Sequence, residues 1–202
     1  MMSADFQAQV QEAALALRAG AVVAYPSETV WGLAAHPDSR EGVARLRALK
    51  ERGPERAFQL SCASLEEARD LVEPSPELDA LAVFLPGPLS VVAPARAGLG
   101  ATFALNGRVG LRVPDHPVAL ALLRAVGGVL VTTSCNRQGE VAAMTFEEAR
   151  VVGLADRVLP DGGVRSLGLA STIVKLPEGV ILREGAVPAR TVRAALGGAD
   201  AG

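Results

Sequence analysis

Lys50 is one of only two lysines in a chain whose twenty basic residues are otherwise arginines, the second being Lys175. It stands next to Glu51-Arg52, and the breaker Gly53-Pro54 separates that pair from Arg56. An ammonium is a compact point charge that meets a phosphate oxygen from any direction, whereas a guanidinium offers a planar fork. Three cations at one helix end can complement the negative end of the helix dipole. They can equally clamp a polyphosphate and stabilise charge that develops in phosphoryl or nucleotidyl transfer. A second candidate is Ser134-Cys135-Asn136, which follows the β-branched run Val129 to Thr133. Strand ends in open α/β sheets commonly present ligand-binding groups. A serine nucleophile there would want a GxSxG elbow and a histidine, and the segment supplies neither, which favours binding over covalent catalysis. The plain alternative is a strand-to-loop transition with Cys135 as a small core residue. Tyr25 and Trp31, the only tyrosine and tryptophan, flank Pro26-Ser27-Glu28-Thr29-Val30. They either shape a small pocket around a polar turn or fill gaps in an aliphatic core.

Other chemistries are poorly served. Gly163 to Gly168 has the glycine spacing of a Walker A loop, but Leu169-Ala170 stands where Lys-Ser/Thr belongs, and no GxGxxG occurs. Nucleotide would have to be held by side chains. His36 and His116 have no ligand partners at metal spacing and read as structural, so no protein metal site is expected. Cys62 and Cys135 fit neither a disulfide framework nor a zinc pattern and read as reduced. The formal charge of −2 provides no molecule-wide field to gather nucleic acid, so any anion site must be local. No leader-like or membrane-spanning run is visible, which points to a cytoplasmic protein.

These residues need a scaffold, and half of the 202 residues are apolar, ample for a buried core. Helices are expected over Ser3 to Ala19 with Gly20 as the cap, from Ser39 to the Gly53-Pro54 break, and after Ser64 and Ser75. Further helices are expected from Asp115-His116-Pro117 to Val126, after Thr145, and over Pro188 to Leu196. Strands are expected at Ala21–Tyr25, Phe58–Cys62, Leu89–Ala93, Arg108–Val113, Val129–Thr133, Ala170–Leu176 and Val180–Arg183. Helix and strand alternate without repeats or linkers, which predicts one α/β domain with a mixed sheet over 1–202, its core at about 6–196 and the tail 197–202 frayed.

The pieces together resemble the YrdC family, also called TsaC, the threonylcarbamoyl-AMP synthases. Its most telling motifs, Lys-x-Arg and Ser-x-Asn, stand here as Lys50-Glu51-Arg52 and Ser134-Cys135-Asn136. Around them, in the family's order, are Ala24 to Leu33, Pro86 to Leu89, Gly110 to Pro117, Ala170 to Val174 and Ile181 to Ala186. The resemblance implies a twisted mixed sheet with flanking helices and a large, concave, positively lined cavity. It implies that threonine, bicarbonate and ATP, with Mg2+ helping to screen charge, give threonylcarbamoyl-AMP and pyrophosphate. A partner transferase would then carry the group to tRNA.

Carried across, Lys50 and Arg52 resemble the catalytic residues, joined on the nucleotide side by Arg56, Arg108, Ser134, Asn136 and Arg183. Thr29, Ser61, Arg112, Thr132 and Ser171 resemble the threonine side, with Arg112 pairing with the amino acid's carboxylate. Departures from the family pattern are Arg56 for Lys or Asn, Phe58-Gln59 for Pro-Leu, Ser61 for a histidine, Lys175 for an acidic residue and Trp31 for Tyr or Phe. They leave room for a paralogue with another acyl acceptor. A further alternative is a module binding tRNA or double-stranded RNA through Arg45, Arg47, Lys50, Arg52 and Arg56.

Overall fold

Successive side chains along a strand point to opposite faces of a sheet, which sorts the residues of these strands onto the two faces of a single sheet. The computed structural model describes residues 4–51, 53, 56–100 and 102–197. Arg52, the expected helix breaker Pro54 and the tail residues 198–202 lie outside the described residues. The strands are β1 Val23–Tyr25, β2 Gly32–Ala35, β3 Gln59–Cys62, β4 Leu89–Pro94, β5 Arg108–Arg112, β6 Val129–Ser134, β7 Arg157–Val158, β8 Thr172–Lys175 and β9 Val180–Arg183. The helices are α1 Ala4–Arg18, α2 Arg40–Leu49, α3 Leu65–Asp70, α4 Pro76–Leu81, α5 Pro117–Val126, α6 Phe146–Val152 and α7 Ala189–Ala195. The strands form one sheet in the order β7-β1-β2-β6-β3-β5-β4-β8-β9. It is mixed: β1/β7, β3/β5 and β4/β8 are parallel and the other pairs antiparallel.

Helix starts lie where local capping chemistry puts them. Ser39, Ser64, Ser75 and Thr145 each accept a backbone N–H from the first turn of their helix, and His116 does so through Nδ1. Gly127 ends α5 in the left-handed conformation, φ 101°, that a residue with a Cβ resists. Two strands were not anticipated. β2, Gly-Leu-Ala-Ala, has no β-branched residue, and β7 has two residues only.

One sheet face carries Leu33, Leu60, Cys62, Val91, Val109, Leu111, Val131 and Val174, and buries them against Val43 and Leu46 of α2, Leu78 and Leu81 of α4 and Val192 of α7. On the opposite face Val23, Tyr25, Ala34 and Leu130 pack under Leu17 of α1 and Leu122 and Leu123 of α5. The remainder of that second face carries, beside Val92 and Ile173, the polar residues Gln59, Ser90, Arg108, Arg112, Thr132 and Arg183, which lie along β3, β4, β5, β6 and β9 and line a cavity. The helical roof over half of one face thus leaves the other half for a ligand. Among the described residues no helix is long and apolar enough to cross a membrane.

Candidate functional site

The cavity encloses about 700 Å³, the size of a site for a small organic ligand or nucleotide. Its floor is the polar half of the sheet, and its walls come from Val30-Trp31, Ala57-Phe58, Leu105-Asn106, Glu140 to Met144 and Gly168 to Ser171. Tyr25 lies on the floor opposite Gly32 in the β1/β2 ladder. A Cβ on Gly32 would come 2.7 Å from the Tyr25 ring, so glycine is what lets the ring lie flat there. Burial pushes the Tyr25 phenol above its ordinary pKa. Trp31 is both core and wall: it is 1% exposed, packs on Phe146 and still contributes to the lining.

At one end of the cavity the two motifs meet. Lys50 caps the C-terminus of α2, which supplies the helix-end position expected for it. Its Nζ donates to Ser134 O at 3.0 Å, Asn136 O at 2.5 Å and Asn136 Oδ1 at 2.7 Å. Ser134 Oγ also donates to Asn136 Oδ1, and Asn136 Nδ2 donates to Glu140 O. Lys50 is only 7% exposed, so a nearly desolvated ammonium is fixed beneath the Ser-x-Asn turn, with Ser134 and Asn136 facing the cavity. Hydrogen bonds to a charged group in such a setting are stronger than neutral ones. The intervening Cys135 is fully buried, and burial pushes its thiol up to about 11 despite the opposing pull of Lys50. It is a core residue.

Arg112 and Arg183 bring two guanidinium groups to the floor. Burial, and then the positive charge of Arg112, pull the Arg183 pKa below its ordinary value. Two partly desolvated like charges close enough to feel one another favour an anion between them. Arg183 is anchored through Nε and NH2 to the Ser171 carbonyl, at 3.1 and 2.8 Å. Arg112 NH2 donates to Glu28 Oε1 at 2.8 Å and Thr29 Oγ1 at 2.7 Å. Glu28 Oε2 and Arg112 Nε are buried without a partner, so this ion pair is one hydrogen bond short of a fork.

Thr29, Arg108, Arg112, Thr132, Ser134, Asn136, Ser171 and Arg183 all line the cavity. Ser61 does not; it lies beside the floor on the same sheet face, with Oγ 2.8 Å from Thr132 Oγ1 and 3.5 Å from the Tyr25 hydroxyl, and reaches the cavity only through them. Its position in β3, opposite Leu130, sets Ser61 on the roofed half of that face. Arg56 is exposed and outside the lining, beside Ala57 of the wall. Arg108 donates to the Leu176 carbonyl and pairs with Glu178 at 2.7 Å, an acidic partner it shares with Lys175 at 3.1 Å. Of the cations considered for RNA, Arg45 is paired with Asp156 and Arg47 with the Gly53 and Arg56 carbonyls and the Phe58 ring. Glu28, Gln59 and Ser90 were not singled out by sequence reasoning. Glu28 lay in full view between Ser27 and Thr29, but a lone carboxylate in a turn gives no signal until its arginine, 84 residues away, is placed.

A family model described as telomere recombination, Sua5/YciO/YrdC, matches residues 15–185. The chain belongs to the Sua5/YciO/YrdC family. Threonylcarbamoyl-AMP synthase of Chromohalobacter salexigens is 36% identical over 183 residues, 87% of this chain and 96% of that protein. The synthase of Cellvibrio japonicus is 38% identical over 154 residues, 74% of this chain and 81% of that one. Sua5 of P. abyssi, solved in complex with L-threonine, superposes with a TM-score of 0.86 at 29% identity. That match covers 95% of this chain but 58% of the Sua5 chain, so the shared part is little more than half of that Sua5. YciO of E. coli, at 21% identity and a TM-score of 0.81, shares the fold over 92% of this chain and 93% of its own. The twisted mixed sheet with flanking helices is thus the fold of the Sua5/YciO/YrdC family.

Proposed function

We propose that this chain makes threonylcarbamoyl-AMP from L-threonine, bicarbonate and ATP, in the cytoplasm, for threonylcarbamoyladenosine modification of tRNA by a partner transferase. The observation that carries the reading is the union of Lys50 with Ser134 and Asn136 at the edge of a cavity whose floor holds Arg112 and Arg183.

The threonine amine and bicarbonate give a carbamate and water. A carbamate oxygen then attacks the α-phosphorus of ATP, forming the acyl phosphate bond as the bond to the β-phosphate oxygen breaks and pyrophosphate leaves. No protein nucleophile is needed. The reacting partners are anions, so the protein's task is to hold them in line and to oppose their repulsion. In this scheme Lys50 and Arg52 stabilise the charge that develops on the phosphates, with Ser134, Asn136, Arg183, Arg108 and Arg56 on the nucleotide side. Arg108 would have to exchange Glu178 for phosphate. Thr29, Arg112, Thr132 and Ser171 hold threonine, with Ser61 behind them. Arg112 takes the carboxylate on the edge that Glu28 leaves open.

Among the described residues no group of three His, Cys, Asp or Glu side chains could hold a metal ion. The described residues offer no cage for Mg2+, which would take its ligands from phosphate oxygens and water.

The test is pyrophosphate release with ATP, Mg2+ and each amino acid in turn. Release that requires both threonine and bicarbonate is expected. Release that ignores either one, or RNA binding without any ATP consumption, would reject the synthase.

A further inference from the structure

Arg108 lines the cavity, but the turn between β8 and β9 holds the end of its side chain at the rim. Its NH1 donates to the Leu176 carbonyl, and its NH2 pairs with Glu178 Oε1 at 2.7 Å. The same oxygen also receives Lys175 Nζ, at 3.1 Å. Two cations therefore converge on one carboxylate oxygen. Lys175 reaches it from β8, where it lies opposite Val92 and two residues beyond Ile173, on the sheet face that carries the cavity. The side chains of Arg108, Lys175 and Glu178 are 26%, 36% and 38% exposed, so water screens both pairs and either one is readily exchanged. Its own backbone N–H, and then Lys175, hold the Glu178 carboxyl below its ordinary pKa, which keeps it ionised at neutral pH.

Phosphate binding requires Arg108 to leave this oxygen. Before it leaves, Arg108 and Lys175 are like charges at one point and repel each other. After it leaves, Glu178 still has Lys175 as its partner. Without Lys175 the carboxylate would be left unpaired near an incoming polyphosphate of the same sign. Repulsion in the first state and a retained partner in the second favour release of Arg108 alike.

We infer that Lys175 is a positioning residue for the nucleotide: by holding Glu178 it frees Arg108 for the phosphates, while Glu178 is the competing anion that keeps Arg108 at the rim of the empty cavity. The inference rests on the synthase reading above, which sets Arg108 on the nucleotide side. Because Lys175 acts through Glu178, its effect on ATP depends on that carboxylate being present. A lysine that met the phosphates directly, or that merely added positive charge, would act without it.

The experiment compares wild type, Lys175→Met, Glu178→Gln and the double variant. ATP binding is measured by titration calorimetry with Mg2+, and KM for ATP and threonine by pyrophosphate release, with thermal melting as the check on folding. Lys175→Met is expected to weaken ATP binding about 2- to 5-fold, the scale of one partly exposed ion pair, and Glu178→Gln to strengthen it by a similar factor. KM for threonine should stay within about 1.5-fold in both. Added to Glu178→Gln, Lys175→Met should change ATP binding by no more than about 1.5-fold, since no carboxylate remains for the lysine to hold. The same loss in that background as in wild type would overturn the inference, as would ATP binding unmoved by either single variant. A wild type that binds ATP but releases no pyrophosphate with threonine and bicarbonate would instead reject the synthase reading, and one that binds no ATP would reject both, so the failures are distinguishable.

Discussion

Glu28 and Arg112 give a direct measure of how the cavity floor is held. Their side chains are 12% and 10% exposed and joined by one 2.8 Å bond. Exposed pairs are worth about 0–1 kcal/mol, but removing one partner of a buried pair strands the other charge and costs about 3–5 kcal/mol. The two truncations are expected to differ. Arg112 lines the cavity, so water can enter and solvate it once Glu28 is gone. Glu28 is absent from the lining, and its Oε2 already lacks a partner, so without Arg112 it has little access to solvent. Arg112→Ala should therefore be the more destabilising, near the upper end of that range, and Glu28→Ala near the lower end. Glu28→Ala together with Arg112→Ala should cost less than the sum, because no charge is left buried. The assay is urea unfolding of the four proteins at neutral pH. With m in the range of about 1–3 kcal/mol/M, a loss of about 3 kcal/mol moves the midpoint by at least about 1 M. Additive effects within about 0.5 kcal/mol, or single losses below about 1 kcal/mol, would refute the account of a buried, coupled pair.

Lys50→Arg is expected to lose turnover by orders of magnitude, much as Lys50→Ala does, because three acceptors converge on one Nζ and a planar guanidinium does not fit that point; wild-type rates in either variant would remove Lys50 from the mechanism. Burial pushes the Cys62 thiol up to about 12 and the Cys135 thiol up to about 11, so neither should react with a disulfide reagent at pH 8 until urea unfolds the chain; rapid labelling of the native protein would contradict this. Burial holds the His116 pKa below its ordinary 6.5, against the opposing pull of the Val164 carbonyl and of Glu28, Asp161 and Asp115. The unfolded chain then binds more protons than the folded one, so His116's contribution is complete above about pH 6.5 and is lost as pH falls through the folded value. His116→Asn keeps a cap for α5 and should flatten the fall in stability between pH 7 and 5; an unchanged slope would show that His116 does not titrate there.

What could be read in advance follows the range of the interactions concerned. Ser39, Ser64, Ser75, His116 and Thr145 start helices through bonds to N–H groups two or three residues away, so their sequence neighbours were enough. The β-branched run into Ser134 was legible for the same reason. β2 was not, because Gly32 to Ala35 have weak strand propensity and are held extended by β1 and β6 on either side. Family motifs pointed to Arg112 and Ser171, but nothing in them paired Glu28 with Arg112 or joined Gln59 to Ser90.

The sequence alone determined the chemical inventory: a scarce lysine among arginines, a Ser-x-Asn after a strand, and hydroxyls without a nucleophile's partners. Only tertiary structure decided which of these meet. Lys50 reaches Asn136 across 86 residues, and Arg112 reaches Glu28 across 84, because the strand order sets β2 beside β6 and β3 beside β5. Charge and hydrogen-bond pairing act over a few ångströms of space, and no local pattern encodes which distant residue will occupy that space.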